Sequence, residues 1–318
     1  MRGRRLGTGC RGGGGVTLLL VAALWATPLA GYETDQYTNR LQPIADSRAE
    51  LDREVNQALV ALAGEWKGPA DRGGFAYRVY ARLGGIYWVD RIERRAMKSA
   101  SIERLPQHRR QSVFSNAPFW TTRVNFFFGV GDTIRLAGSL IGTDKLGHFF
   151  SQGFKYFKSY LAGWPESRVF WRGRFNERWI FGQLTTSVYS NADLVANFEG
   201  LVFYRSLFED DAVPGKPAIV RFRDGRAELQ REFTWADHVN DYWDEALNPS
   251  HMSPGLARAV RQALRVVCAD FYRQPAAFAV RDESALRERY AAIGLREAPE
   301  NGVPAVCDGE PVRLGGDE

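Results

Sequence analysis

The chain has 318 residues, 45% of them hydrophobic and 13% aromatic, and carries 42 Lys+Arg against 37 Asp+Glu for a formal charge of +5. That composition supports a sizeable core. The excess of positive charge is small and, as its distribution shows, argues against a nucleic-acid partner, which needs a concentrated basic face.

Arg2, Arg4, Arg5 and Arg11 open the chain, and no acidic residue precedes Glu33. An apolar run of eleven residues follows, from Val16 to Ala26, and then Pro28-Leu29-Ala30-Gly31. A basic start, a short apolar stretch and a small residue at the exit are the pattern of a cleaved secretory signal. The run is shorter than the roughly 20 residues a membrane-spanning helix needs. We therefore expect residues 1–30 to be a signal peptide, cut after Ala30 or after Ala26, and the protein to be periplasmic or secreted. No transmembrane span is expected after cleavage. Cys10 lies before the apolar run and is not placed as a lipidation cysteine.

Without those residues the balance is 38 basic against 37 acidic, or +1. Cys268 and Cys307 remain of the three cysteines. In an exported protein two cysteines are candidates for one disulfide, and two free thiols are the alternative.

In chain order, Leu51, Val55, Ala58, Leu59 and Leu62 recur at helical spacing and predict a helix over 46–63, stopped by Gly64. A second helix is expected near 75–83, and a charged helical stretch is expected to run to Met97. Residues 101–118, with Pro106 and Pro118, read as a loop. Residues 119–141 are apolar but carry Arg123, Asp132 and Arg135, which suggests a buried or amphipathic helix. Helices are expected over 144–161 and, with a break, over 176–208. The period then changes. Residues 218–222 and 227–233 flank Asp224-Gly225, a type I′ hairpin signal. Thr234-Trp235-Ala236-Asp237 reads as a helix start, and so does Ser253-Pro254. A short last helix is expected over 284–293. The reading is mainly α: a signal over 1–30, a single helical domain with a small late β-hairpin over 31–300, and a loose tail over 301–318 tethered at most through Cys307.

Three polar stretches stand out. In Gly142-Thr143-Asp144-Lys145-Leu146-Gly147-His148-Phe149-Phe150, Asp144 and His148 lie one helical turn apart. A carboxylate beside an imidazole fixes its tautomer and raises its basicity, which suits a general base or a metal ligand. The plain alternative is a first-turn Asp144, a solvated Lys145 and a core His148. The box resembles the Asp-Lys-x-x-His-Phe element of the VanZ-like family and of some small periplasmic lipoproteins, over about a dozen of the 318 residues. In the second stretch, from Tyr189 to Gly200, Ser190, Asp193 and Asn197 form one polar stripe on an apolar helix. Buried polar groups need partners, so we expect this stripe to face Asp144 and His148. Such a cluster suits a divalent metal, a positioned water, or a hydrogen-bond network that fixes helix register. In the third stretch Asp237, Asp241 and Asp244, beside His238, fall at helical spacing and can ligate a hard cation or form a solvated acidic face.

There is no Gly-x-Ser-x-Gly, phosphate-binding loop, His-Glu-x-x-His or Cys-x-x-Cys motif. No cofactor is indicated. Two functions follow as expectations. The first is an exported cell-envelope protein of unknown biochemical role, a helical binding or structural domain with a polar cluster between helices. Its partner would be an envelope glycan, lipid or protein. The second is an exported hydrolase, with or without a metal, acting on an envelope glycan, peptide or phosphate ester. There His148 is base or ligand oriented by Asp144, Asp193 and Glu199 are ligand or acid, and Lys145, Ser190, Asn191 and Asn197 position substrate.

Overall fold

A computed structural model describes residues 33–85, 89–105, 108–118, 129–179 and 187–309. Residues 1–32, which include the expected signal peptide, residues 119–128 of the apolar stretch and the last nine residues lie outside the described residues. The fold is mainly α, with short antiparallel strand pairs. No helix among the described residues is long and apolar enough to cross a membrane.

Helix α1 (Arg48–Glu65) buries Leu51, Val55, Ala58, Leu59 and Leu62, the predicted stripe. Helix α2 (Arg72–Leu83) is capped by Asp71, whose side chain accepts from the Gly74 amide. Helix α3 (Arg91–Lys98) starts with a capping box: the Asp90 side chain takes an amide of the first turn while Glu93 reaches back to the Asp90 amide.

Residues 133–142 depart from the expected helix. Thr133–Leu136 (β1) pairs antiparallel with Ser139–Gly142 (β2). Ala137 and Gly138, both at positive φ, make the turn. Arg123, Asp132 and Arg135 in an apolar run were compatible with a helix. The β-branched Thr133, Ile134 and Ile141 and the glycine at a left-handed turn position fit a hairpin better.

The helix over 144–161 (α4) forms as predicted, but not uniformly. An α-helical turn Asp144–Gly147 leads into a π-helical segment His148–Gln152 and then Gly153–Leu161. Its partner is α6 (Asn191–Ser206), which follows α5 (Glu166–Trp179). The two helices cross closely: a Cβ on Gly153 would lie 2.5 Å from the Gly200 Cα, and one on Gly200 would lie 2.1 Å from the Phe149 carbonyl. Only glycine at both positions permits that approach.

The late hairpin is present as Val220–Arg223 (β4) and Arg226–Leu229 (β5), turning at Asp224-Gly225 with both at positive φ. The helix expected after Thr234 does not form. Two 3-10 turns, Trp235–Asp237 and Asp241–Trp243, are separated by an extended Asn240 whose side chain accepts from the Tyr242 amide. Trp235, Tyr242 and Trp243 are drawn into the core instead. The extended strand pair Val188–Tyr189 (β3) with His251–Met252 (β6) then sets the end of this segment beside the start of α6.

Helix α7 (Pro254–Leu264) begins at the predicted proline. The last predicted helix is α9 (Glu283–Arg289). Within the described part of the expected tail, Val303–Asp308 (α10) is helical and is joined to α8 (Cys268–Arg273) by the Cys268–Cys307 disulfide. Two hydrophobic clusters result. One lies among α1, α2, α4 and α6 with Trp235 and Trp243. The other joins Tyr37, Val113 and Phe114 to α7, α8 and Val303.

Candidate functional site

Lys145 is the centre of the polar cluster. It sits in the first turn of α4, and its side chain is 1% exposed. Its ammonium lies 2.7 Å from Asp144 Oδ2, 2.6 Å from Asp193 Oδ1 and 2.8 Å from Glu245 Oε1. Burial disfavours the charged lysine, but the three carboxylates outweigh it and hold the ammonium well above its ordinary range. Three remote segments meet here: α4, the N-terminus of α6 and the turn after Trp243.

Local structure explains how Asp193 is aimed. Ser190 caps α6, accepting from the Asp193 amide at 3.1 Å, and its hydroxyl donates to Glu245 Oε1 at 3.1 Å. Burial raises the Asp193 carboxyl, but His148, Lys145 and the Ser190 cap more than offset this and hold it below the usual range. Burial pushes Asp144 and Glu245 up, only partly countered by Lys145. Asp144 Oδ1 is buried without a hydrogen-bond partner among the described residues.

His148 stands at the rim, with its side chain 18% exposed. Its Nε2 is 3.3 Å from Asp193 Oδ2 and its Nδ1 is 3.1 Å from Asn197 Oδ1. The stripe Ser190, Asp193 and Asn197 thus faces Asp144 and His148 across the α4–α6 contact. Asp144, His148 and Asp193 each offer one ligand atom, all within 4.8 Å of one another.

Behind this group lie two more carboxyls. Burial, with Asp144 and Asp90 nearby, raises Glu93 well above the carboxylate range. Burial also lifts Asp90 to about 6, against the hydroxyl of Ser151, which donates to its Oδ2. Gly147 leaves room for both, since a Cβ there would lie 3.0 Å from Glu93 Oε2 and 3.3 Å from Asp90 Oδ2.

Two predicted site residues lie elsewhere. Glu199 is fully buried in a second polar group: it accepts from Arg289 Nε at 2.7 Å and from the Tyr290 hydroxyl at 2.7 Å, and it lies 3.2 Å from His238 Nδ1. Burial raises its carboxyl, but His238 and Arg289 reverse that and keep it low. Two helical turns beyond Asn191, it has rotated away from the α4 contact. The Asn191 side chain spans backbone groups of Pro249 and Arg296 and serves the chain path. The expected acidic face also dissolves, because its residues are not on one helix. Asp237 pairs with Lys216 and Arg231, Asp241 with Arg281, and Asp244 with Arg40.

Glu245, Asp90 and Glu93 were not read from the sequence as part of the site. One signal pointed toward them: a lysine next to an aspartate on an apolar helix needs further carboxylates once buried. Nothing in the sequence said which carboxylates these would be. The chain matches no protein-family model, no curated protein and no solved structure. The likeness to the VanZ-like element therefore stays a likeness of motif.

Proposed function

We propose that this is an exported cell-envelope protein whose helical domain serves in binding or in structure, with the Lys145 cluster as the internal lock of its helices. The observation that carries this reading is the enclosed ammonium, ligated by three carboxylates from three segments. A cation so enclosed is committed to the fold. His148 points the same way, because both its ring nitrogens already have side-chain partners. The basic start and short apolar run support export.

Asp193→Asn tests the lock. A structural cluster predicts a clear drop in the unfolding midpoint with urea, whereas a catalytic carboxylate predicts near-normal folding. N-terminal sequencing of the protein recovered from cells tests export, and a chain still starting at Met1 would sink cleavage.

One observation favours a second reading, an exported hydrolase acting on an envelope glycan, peptide or phosphate ester. Asp144, His148 and Asp193 are spaced closely enough to share a divalent ion, and π-helical turns such as the one at His148 are frequent at functional sites. Saturable binding of zinc or manganese that is lost in His148→Ala would favour this reading. No binding by the folded protein would count against its metal form.

A further inference from the structure

A cleft of about 410 Å³ opens between the β1–β2 turn, the loop after Tyr37 and residues 274–281. Arg40, Arg135, Arg281, Gln42 and Gln274 line it. Its volume lies within the range of about 300–1,000 Å³ found for small-molecule sites.

The hydrogen-bond inventory of this cleft is unbalanced. Two aspartates also line it, and each of their four oxygens already accepts at least one hydrogen bond. Asp241 Oδ1 accepts from Ser139 Oγ and Arg281 Nη2, and its Oδ2 accepts from the amide and Nε of Arg281. Asp244 Oδ1 accepts from the Ala246 amide and its Oδ2 from Arg40 Nη1. The donors are not spent. Arg40 uses Nε on the Ala277 carbonyl and Nη1 on Gln36 and Asp244, which leaves Nη2 without a partner among the described residues. Arg281 likewise leaves Nη1. Arg135 uses only Nη1, on the Gly138 carbonyl at 3.2 Å. Among the residues that line the cleft, three guanidinium groups face two carboxylates, a balance of +1; Asp46, which accepts from the Ala137 and Gly138 amides, and Asp282, beside Arg281, lie outside that lining.

We infer that this cleft binds a small solute through an oxyanion group, a carboxylate or a phosphate. Guanidinium presents planar paired donors that match either group, and charge-assisted bonds of this kind are the strong ones. Arg40 is 8% exposed and held by Asp244, so one donor is fixed before any ligand arrives. Arg135, which makes no ion pair among the described residues, supplies the charge that the two lining carboxylates do not balance. The inference does not depend on the role of the Lys145 cluster.

The test is calorimetric titration of the full chain with inorganic phosphate and, separately, with citrate and acetate, at ionic strength matched with sodium chloride. Saturable binding of at least one of them is expected. Arg135→Gln, which spares both Arg–Asp pairs, is expected to weaken it about tenfold, the loss of one charge-assisted bond. Gln274→Ala is a second variant should the first fold poorly, and it is expected to weaken binding by a smaller factor. Arg53→Gln on α1 is the control and is expected to change nothing. The phosphate and carboxylate arms identify the group the cleft takes. Absence of saturable binding in every arm overturns the inference, and so does binding that Arg135→Gln and Gln274→Ala leave unchanged.

Discussion

Lys145 shows how one side chain can dominate a site. Lys145→Met would leave Asp144, Asp193 and Glu245 buried together without their cation. Breaking a buried ion pair from one side costs about 3–5 kcal/mol, so denaturant unfolding should show a loss of that size. Carboxyls of opposite shift then give opposite pH signatures. Asp193 is held low in the fold, so its contribution is present above the unfolded value of 3.8 and is lost as pH falls through the lower folded value. Asp90 is raised to about 6, so between roughly pH 4 and 6 the folded state keeps a proton that the unfolded chain releases. Stability from this group therefore falls as pH rises across that window, by on the order of 2–3 kcal/mol. Asp90→Asn should flatten this part of the stability profile measured by urea unfolding at successive pH values. At this scale the sequence was informative about neighbours on one helix. The Asp144–His148 spacing and the Ser190, Asp193 and Asn197 stripe were legible because helical geometry is local. Glu245 was not, because it reaches Lys145 from a hundred residues away.

Among the elements, the contact of α4 with α6 positions the site. It depends on Gly153 facing Gly200, where backbone approaches backbone. Gly200→Ala would force a Cβ against the Phe149 carbonyl and push the helices apart. We expect a loss of about 1–3 kcal/mol, the usual cost of overpacking, seen as a lower thermal midpoint, with weaker protection of the α4 amides in hydrogen exchange. Element type was legible wherever period and end signals agreed: α1 from its apolar stripe, α7 from Ser253-Pro254, the late hairpin from Asp224-Gly225. It failed where the two conflicted. Residues 133–142 had helix-compatible composition but strand-forming side chains around a glycine turn. Residues 234–248 had a helix-like start, yet Trp235 and Trp243 gained more from burial in the first hydrophobic cluster than a helix would have allowed.

Across the whole molecule, two hydrophobic clusters are joined through the segment that carries Asp241, Asp244 and Glu245. The Cys268–Cys307 disulfide closes a loop of 39 residues and lies in the second cluster alone. Reduction should therefore act unevenly. The chain-entropy model allows up to about 4 kcal/mol for a loop of this length. Hydrogen exchange in reductant should show faster exchange in Pro254–Arg273, while Asn191–Ser206 stays protected. Equal acceleration in both would mean that the two clusters unfold as one. The sequence by itself determined the mainly helical class, the Asp144–His148 pair and the stripe that meets it, because each depends on periodicities of a few residues. It also singled out Cys268 and Cys307 as the candidate pair, on the expectation that residues 1–30 are cleaved, and left two free thiols as the alternative. Only the tertiary structure decided that Lys145 is buried rather than solvated, that Glu245 rather than Glu199 completes its shell, and that the three aspartates after Trp235 serve separate partners, Lys216 and Arg231, Arg281, and Arg40. Those outcomes depend on which distant segments share a desolvated space, and the strength of a charge there is set by its surroundings rather than by its neighbours in the chain.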